Sequence, residues 1–273
     1  MNNEMVMNQF WDRVLEFCQQ ITQEIGDRLM ADCGVLKPEE KADGSLVTKA
    51  DKWADQTIRD AIAKAFPEHG VLTEETTHIF PDTDWCWIID PIDGTTNFTR
   101  GVPIWAISLG LLYKGTPIFG FVYLPFLKQA FHGYWYGDSG LTGHTGAYLN
   151  NQPIHTSQEN PSKSHLFNLC ARSLAIIQKP FPCKIRMIGV ATYNILLVAA
   201  GAAIGGVEAT PKIWDIAAVW VILQAAGGSF TSLSNDKIFP LEVGRNYGEV
   251  SFPTLALCRQ ELITTFKPLT KVL

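Results

Sequence analysis

Residues 87–98 read WIIDPIDGTTNF. An apolar run feeds two aspartates spaced three apart, followed by Gly-Thr-Thr. Pro91 holds Asp90 extended and removes a backbone donor, so the strand Trp85 to Ile89 is expected to stop there and the chain to turn. The turn gathers oxygen: Asp90, the carbonyl of Ile92 and Asp93 can point into one small volume, a donor set that suits hard cations such as Mg²⁺. Gly94 lets the backbone come close, and the amides of Gly94 and Thr95, at the start of a short helical turn, face an anion. The plain alternative is a strand ending in an Asp-Gly turn with solvated carboxylates. The order of apolar strand, proline, two acids and Gly-Thr-Thr favours a site for metal-bridged phosphate.

Around this stretch, Phe10, Val14, Phe17, Cys18, Ile21, Ile25 and Leu29 recur at helical spacing, predicting an amphipathic helix over 10–30 that Gly34 ends. Thr48 to Phe66 reads as a second helix. Trp105–Leu112 and Ile118–Leu124 flank YKGTP, a hairpin signal, and Gln129–Tyr136 adds a strand, so the first half reads as helices on an antiparallel sheet. Past residue 165, strands near 165–171, 184–188, 206–209, 229–233 and 254–258 alternate with helices over 192–201 and 215–226, an α/β texture. NNQPIHTSQENP (150–161) supplies turn residues, and a soft boundary there divides an N-terminal α+β half (1–150) from a C-terminal α/β half (151–273).

Composition narrows the function. The 273 residues are 47% hydrophobic and 18% charged, enough to bury a large core. Net charge is -5 and no Lys/Arg run occurs, which argues against nucleic-acid binding. The six cysteines lack C-x-x-C spacing and read as reduced thiols, and the isolated histidines argue against zinc. With no apolar stretch of the ~18 residues a membrane span needs, and no basic-then-apolar opening, a cytoplasmic location is expected.

Other acids can join the site. GVLTEET (70–76) is a short strand ending in Glu74 and Glu75; adjacent residues point to opposite sides, and Glu74 is favoured as a metal ligand over a solvated turn. Asp215 stands in the first turn of a helix, where an acid complements the dipole without any further role, and Trp214 beside it can hold the carboxylate in place. Thr48 and Asp51 suit helix capping as well as a site. Lys41 is a candidate phosphate-side cation, and Arg172, Lys184 and Arg186 are candidate cations for a second anionic group.

With WIIDPIDGTTNF, an upstream Glu-Glu and a downstream WDIAA in order, the chain resembles the inositol monophosphatase family of Mg²⁺-dependent, lithium-sensitive phosphatases over roughly residues 41–230. The resemblance implies a layered αβαβα sandwich of the α+β class and a homodimer. It implies metal ligands Glu74, Asp90, the Ile92 carbonyl, Asp93 and Asp215 for two or three Mg²⁺. Gly94 and Thr95 cradle phosphate, Asp51 holds a further metal through water, and Glu74 and Thr95 orient or deprotonate the attacking water. Gly189, Ala191 and Glu208 meet the substrate, Glu208 at the rim of the site. The implied reaction is hydrolysis of inositol 1-phosphate. Fructose-1,6-bisphosphatase, histidinol-phosphatase and 3'-phosphoadenosine-5'-phosphate phosphatase activities are the alternatives within the family, and a non-catalytic phosphate-binding relative is the alternative outside it. Three departures stand out: Thr73 where a glycine precedes the acidic pair, Val190 for a frequent threonine, and a shorter KADGS loop. An aspartyl-phosphate route of the D-x-D-x-T type is disfavoured by the three-residue spacing with proline between.

Overall fold

A computed structural model describes residues 3–40, 46–234 and 237–271, with side chains from residue 9. The first helix, α1 (Asn3–Asp32), starts earlier than its apolar stripe and stops before Gly34. A two-residue ribbon, β1 (Glu39–Glu40) with β2 (Leu46–Val47), leads to α2 (Lys49–Ala65). Thr48 caps α2: its hydroxyl accepts from the Ala50 and Asp51 amides while Asp51 accepts from the Thr48 amide, a reciprocal capping box.

Seven strands then follow in spatial order: β3 (Gly70–Thr73), β4 (Trp85–Asp93), β5 (Ala106–Tyr113), β6 (Thr116–Leu124), β7 (Gln129–Tyr134), β8 (Gly146–Leu149) and β9 (Gln152–Pro153). Among the described strands of this sheet, β3 and β4 pair parallel and the other neighbours antiparallel. Lys114 and Gly115, both at positive φ, close the β5–β6 hairpin in two residues, as the primed turns of hairpins require. A short helix, α3 (Thr95–Thr99), leaves the end of β4. The five-stranded second sheet runs β11 (Lys184–Arg186), β10 (Leu166–Leu169), β12 (Gly205–Glu208), β14 (Thr254–Leu257), β13 (Ser229–Ser232). Between the sheets lie α4 (Ala191–Ala199) and α5 (Ile213–Ala225).

Alternation along β4 explains the layers. Trp87 and Ile89 join the core under α1 and α2, whereas Ile88 joins the core around α5. The α5 sequence IWDIAAVWVILQA is apolar nearly all round, the pattern of a helix covered on every side. A Cβ on Gly120 of β6 would stand 2.1 Å from the Ala218 carbonyl oxygen, so α5 can lie on this sheet only over a glycine. On the outer face of the second sheet, Phe266 of α6 (Ile263–Phe266) stacks on Phe167 at 4.9 Å. The order α1/α2, sheet, α4/α5, sheet, α6 is the expected αβαβα sandwich, and one continuous core runs from Leu72 of the first sheet through the second sheet to Phe266 on its outer face.

Two sequence expectations need correction. β4 does not stop at Ile89 but continues through Pro91 to Asp93. Asp90 pairs with Ser108 and Asp93 with Ala106, so β4 carries one extra residue, a bulge, where a residue without an amide proton is tolerated. The turn residues expected from 150 onward do make a turn, that of the β8–β9 hairpin, with Asn150 and Asn151 both at positive φ. The helix expected from Asp215 begins at Ile213, placing Asp215 at its third residue.

Candidate functional site

Strand ends and helix starts converge on one cavity of about 590 Å³. The β4 bulge delivers Asp90, Ile92 and Asp93; the end of β3 delivers Glu74; the end of β12 delivers Glu208. The first residues of α3, α4 and α5 supply Thr95, Ala191 and Asp215. Helix N-termini present free amides and the positive end of the dipole, which favours an anion and eases the crowding of acids.

One oxygen from each of Asp90, Asp93 and Asp215 lies within 4.8 Å of the others. Burial lifts the Asp90 carboxyl well above its usual range, and the charges of Glu74, Asp93, Asp215 and, least, Glu75 lift it further. Asp215 is raised by burial and by Asp93, Glu74 and Glu208, and held back by the Lys212 amide, which donates to its Oδ2 (2.7 Å). Burial and mutual repulsion disfavour the ionised form of these carboxylates in the protein alone; a divalent cation among them would offset both, and an all-oxygen set suits Mg²⁺. Glu74 lines the same cavity and Glu75 does not.

Asp93 does a second job. Its Oδ1 accepts from the Ala191 amide (3.2 Å) and its Oδ2 from the Thr192 amide (2.7 Å) and hydroxyl, so it caps α4 from the other sheet. Val190, the residue before that helix, has no side-chain acceptor of its own. These bonds pull the Asp93 carboxyl down, against the burial that raises it.

Gly94 opens α3 at φ 93°, and a Cβ there would meet Val190 Cγ2 at 2.8 Å and the Gly189 carbonyl at 3.2 Å. The Thr95 hydroxyl has one proton and two acceptors, the Ile92 carbonyl (3.0 Å) and Asp51 Oδ1 (3.4 Å). The other Asp51 oxygen accepts from the Thr48 amide (2.7 Å) and hydroxyl (2.6 Å). Asp51 therefore serves as helix cap and as neighbour to Thr95 together. Gly189 also lines the cavity.

Glu208 is not at the rim. It is 3% exposed and accepts from Asn194 Nδ2 (2.7 Å). Burial pushes its carboxyl up to about 7, with the Cys170 thiol and Asn194 hydrogen bonds working against that rise and Asp93 adding to it. The position follows from β12 being a central strand of the second sheet, covered by α4.

Sequence reasoning missed His78, which lines the cavity, bonds the Glu74 carbonyl through Nε2 (2.8 Å) and stacks on Trp214 (5.6 Å). Nothing in its spacing marks it. Cys170, Thr210, Lys212, Asn246 and Glu249 also line the cavity; of these only Lys212, three before Asp215, had a local signal. Arg172 lines the mouth, while Lys184 and Arg186 sit on the edge strand β11 away from it. Lys41 lies outside the described residues.

The sequence profile of the inositol monophosphatase family matches residues 11–251. A fructose-1,6-bisphosphatase/inositol-1-monophosphatase of Aquifex aeolicus is 35% identical over 78% of this chain and 87% of its own. A histidinol-phosphatase of Mycobacterium tuberculosis is 32% identical over 84% and 87%. Among solved structures, the Thermotoga maritima IMPase superposes with a TM-score of 0.76 at 28% identity, covering 93% of this chain and 94% of that one. Fold and acidic cavity together define a phosphatase of the layered-sandwich type. The chain belongs to the inositol monophosphatase family.

Proposed function

We propose that this protein is a Mg²⁺-dependent phosphomonoesterase that hydrolyses inositol 1-phosphate, a myo-inositol monophosphate, to inositol and phosphate. The observation that carries the reading is the convergence of Asp90, Asp93 and Asp215 beside a buried acceptor, Glu208, in one cavity. A phosphate dianion meets roughly 4 kcal/mol of repulsion from each carboxylate near 4 Å at an effective dielectric of ~20, so the acids make sense only with cations present. Glu74, Asp90, the Ile92 carbonyl, Asp93 and Asp215 would hold two or three Mg²⁺. Bound there, Mg²⁺ would offset the acids, polarise the phosphate and lower the pKa of water.

The chain's own groups do the rest. The Gly94 and Thr95 amides bind phosphate oxygens. The Thr95 hydroxyl accepts a hydrogen bond from the incoming water while donating its own to Asp51 or the Ile92 carbonyl, and Glu74 helps orient that water and takes its proton. Glu208 accepts from a ring hydroxyl, with Gly189 and Ala191 backbone against the ring. The Asp93 bonds to α4 tie the ring-contacting segment to the acid cluster, so metal and substrate positions are set together.

A second reading, fructose 1,6-bisphosphate, is favoured by Arg172 and Lys212, two cationic residues that line the cavity and could pair with a second phosphate. The Aquifex relative carries both activities in its name. A panel of phosphate esters assayed for kcat/KM in Mg²⁺ separates the readings. Inositol 1-phosphate should lead, and a tenfold preference for the bisphosphate, about 1.4 kcal/mol of transition-state binding, would move the assignment. The family also supports lithium sensitivity and a homodimer, for which exposed Val102, Phe126 and Leu127 offer apolar surface. Light scattering tests the latter. All six cysteines are free, in keeping with a reducing cytoplasmic setting.

A further inference from the structure

Asp55 lies one turn beyond Asp51 on α2, is fully buried and is not among the residues that line the cavity. Its Oδ2 accepts from the Thr76 hydroxyl (3.0 Å) and faces the Arg59 guanidinium (3.6 Å), which also donates to the Thr76 hydroxyl (3.1 Å). From Thr76 the bonds run straight into the Glu74 turn. The Thr76 and Thr73 hydroxyls bond each other (3.1 Å), the Thr76 amide donates to the Thr73 hydroxyl (3.1 Å), and the Thr73 amide donates to the Thr77 carbonyl (2.8 Å).

The Glu74 backbone is tied to the sheet, its amide donating to the Ile89 carbonyl (3.1 Å). The turn that carries it thus has one wall on β4 and one on α2. The other Asp55 oxygen, Oδ1, is buried with no hydrogen-bond partner among the described residues. A buried carboxylate left half satisfied is a poor device for stability, since an apolar side chain of similar volume would hold helix to turn without the desolvation cost. Its retained use is directional: it fixes one hydroxyl, and through it one turn.

We infer that Asp55, with Arg59 and Thr76, is a positioning strut that fixes the Glu74 carboxylate for metal binding. The inference rests on the proposed reading of Glu74 as a ligand. It also accounts for Thr73 standing where the family more often has glycine: the Thr73 hydroxyl is a member of the strut. Partners one step removed from a metal ligand typically contribute 10- to 100-fold in affinity.

Chelator-treated full-length protein titrated calorimetrically with Mn²⁺, an octahedral oxygen-preferring probe, tests it without turnover. Thr76→Val, which removes the hydroxyl at constant shape, should weaken the Glu74-dependent Mn²⁺ step by about 10-fold. Asp55→Asn should weaken it in the same direction, and Thr76→Ser, which restores the hydroxyl, should bind as wild type. Combined with Glu74→Gln, Thr76→Val should add nothing further, because both act through one carboxylate; a merely structural role would give additive losses. Wild-type Mn²⁺ binding by Thr76→Val beside a weakened Glu74→Gln overturns the strut. Wild-type binding by Glu74→Gln instead overturns the ligand reading, and the strut with it.

Discussion

Glu208→Gln isolates the energetic cost of a buried acid that lines the cavity. Moving a carboxyl from 4.5 to about 7 makes its ionisation about 3 kcal/mol harder in the folded chain than in the unfolded one, at about 1.4 kcal/mol for each pKa unit. Because the folded chain binds this proton more tightly, the wild type is relatively stable below pH 4.5 and loses that amount as pH rises through about 7. Glutamine cannot ionise, yet its carbonyl can still accept from Asn194. Urea unfolding of chelator-treated protein at pH 5 and pH 8 should therefore show the variant gaining on the wild type by up to about 3 kcal/mol at the higher pH. The raised carboxyls of Asp90 and Asp215 are present in both proteins, so most of their contribution drops out of the difference; what remains comes from Asp215, which in the variant is relieved of the Glu208 charge. An equal stability gap at the two pH values would refute the placement of Glu208 as a buried acid that ionises near neutrality. The same variant should weaken inositol 1-phosphate by roughly 1 to 3 kcal/mol while sparing a simple aryl phosphate, which has no hydroxyls to offer.

Asp90→Asn and Asp93→Asn should each lower kcat by at least about 10²-fold, yet differ in metal-free stability. Removing the Asp90 charge relieves burial and repulsion and should raise Tm at pH 8, whereas Asp93→Asn also loses bonds to the start of α4 and should gain less; calorimetry showing the reverse order would contradict the capping role. Gly94→Ala should destabilise by about 1–3 kcal/mol, since alanine must adopt positive φ and its Cβ meets Val190, and unchanged urea unfolding would count against the tight approach. Lithium at tens of millimolar, an order-of-magnitude range for a competing ion, should inhibit phosphate release, and full turnover there would remove lithium sensitivity from the account.

The acids within 87–98 were legible because they are close in sequence and framed by residues with fixed backbone preferences. The elements were legible from helical spacing in α1 and from the apolar runs of β5 and β6 around a hairpin turn, whereas their stacking as a sandwich came from the family resemblance. What escaped was long-range or compensatory. Asp93 reaches α4 about a hundred residues on, and the only local hint was Val190, a helix start with no acceptor of its own. Glu208 at a strand end read as a rim residue because burial depends on what covers the strand, and α4 covers it. Pro91 read as a stop because a bulge, which tolerates proline, is set by the partner strand β5. His78 had no sequence signal, since its place against Trp214 is a matter of how one turn folds over α5.

The central claim is that the acid cavity hydrolyses a phosphate monoester only when cations fill it. Phosphate release from inositol 1-phosphate, followed colorimetrically before chelation, in excess chelator and after Mg²⁺ is restored, tests this directly. The account predicts turnover, none, and turnover again; full activity in excess chelator would contradict it.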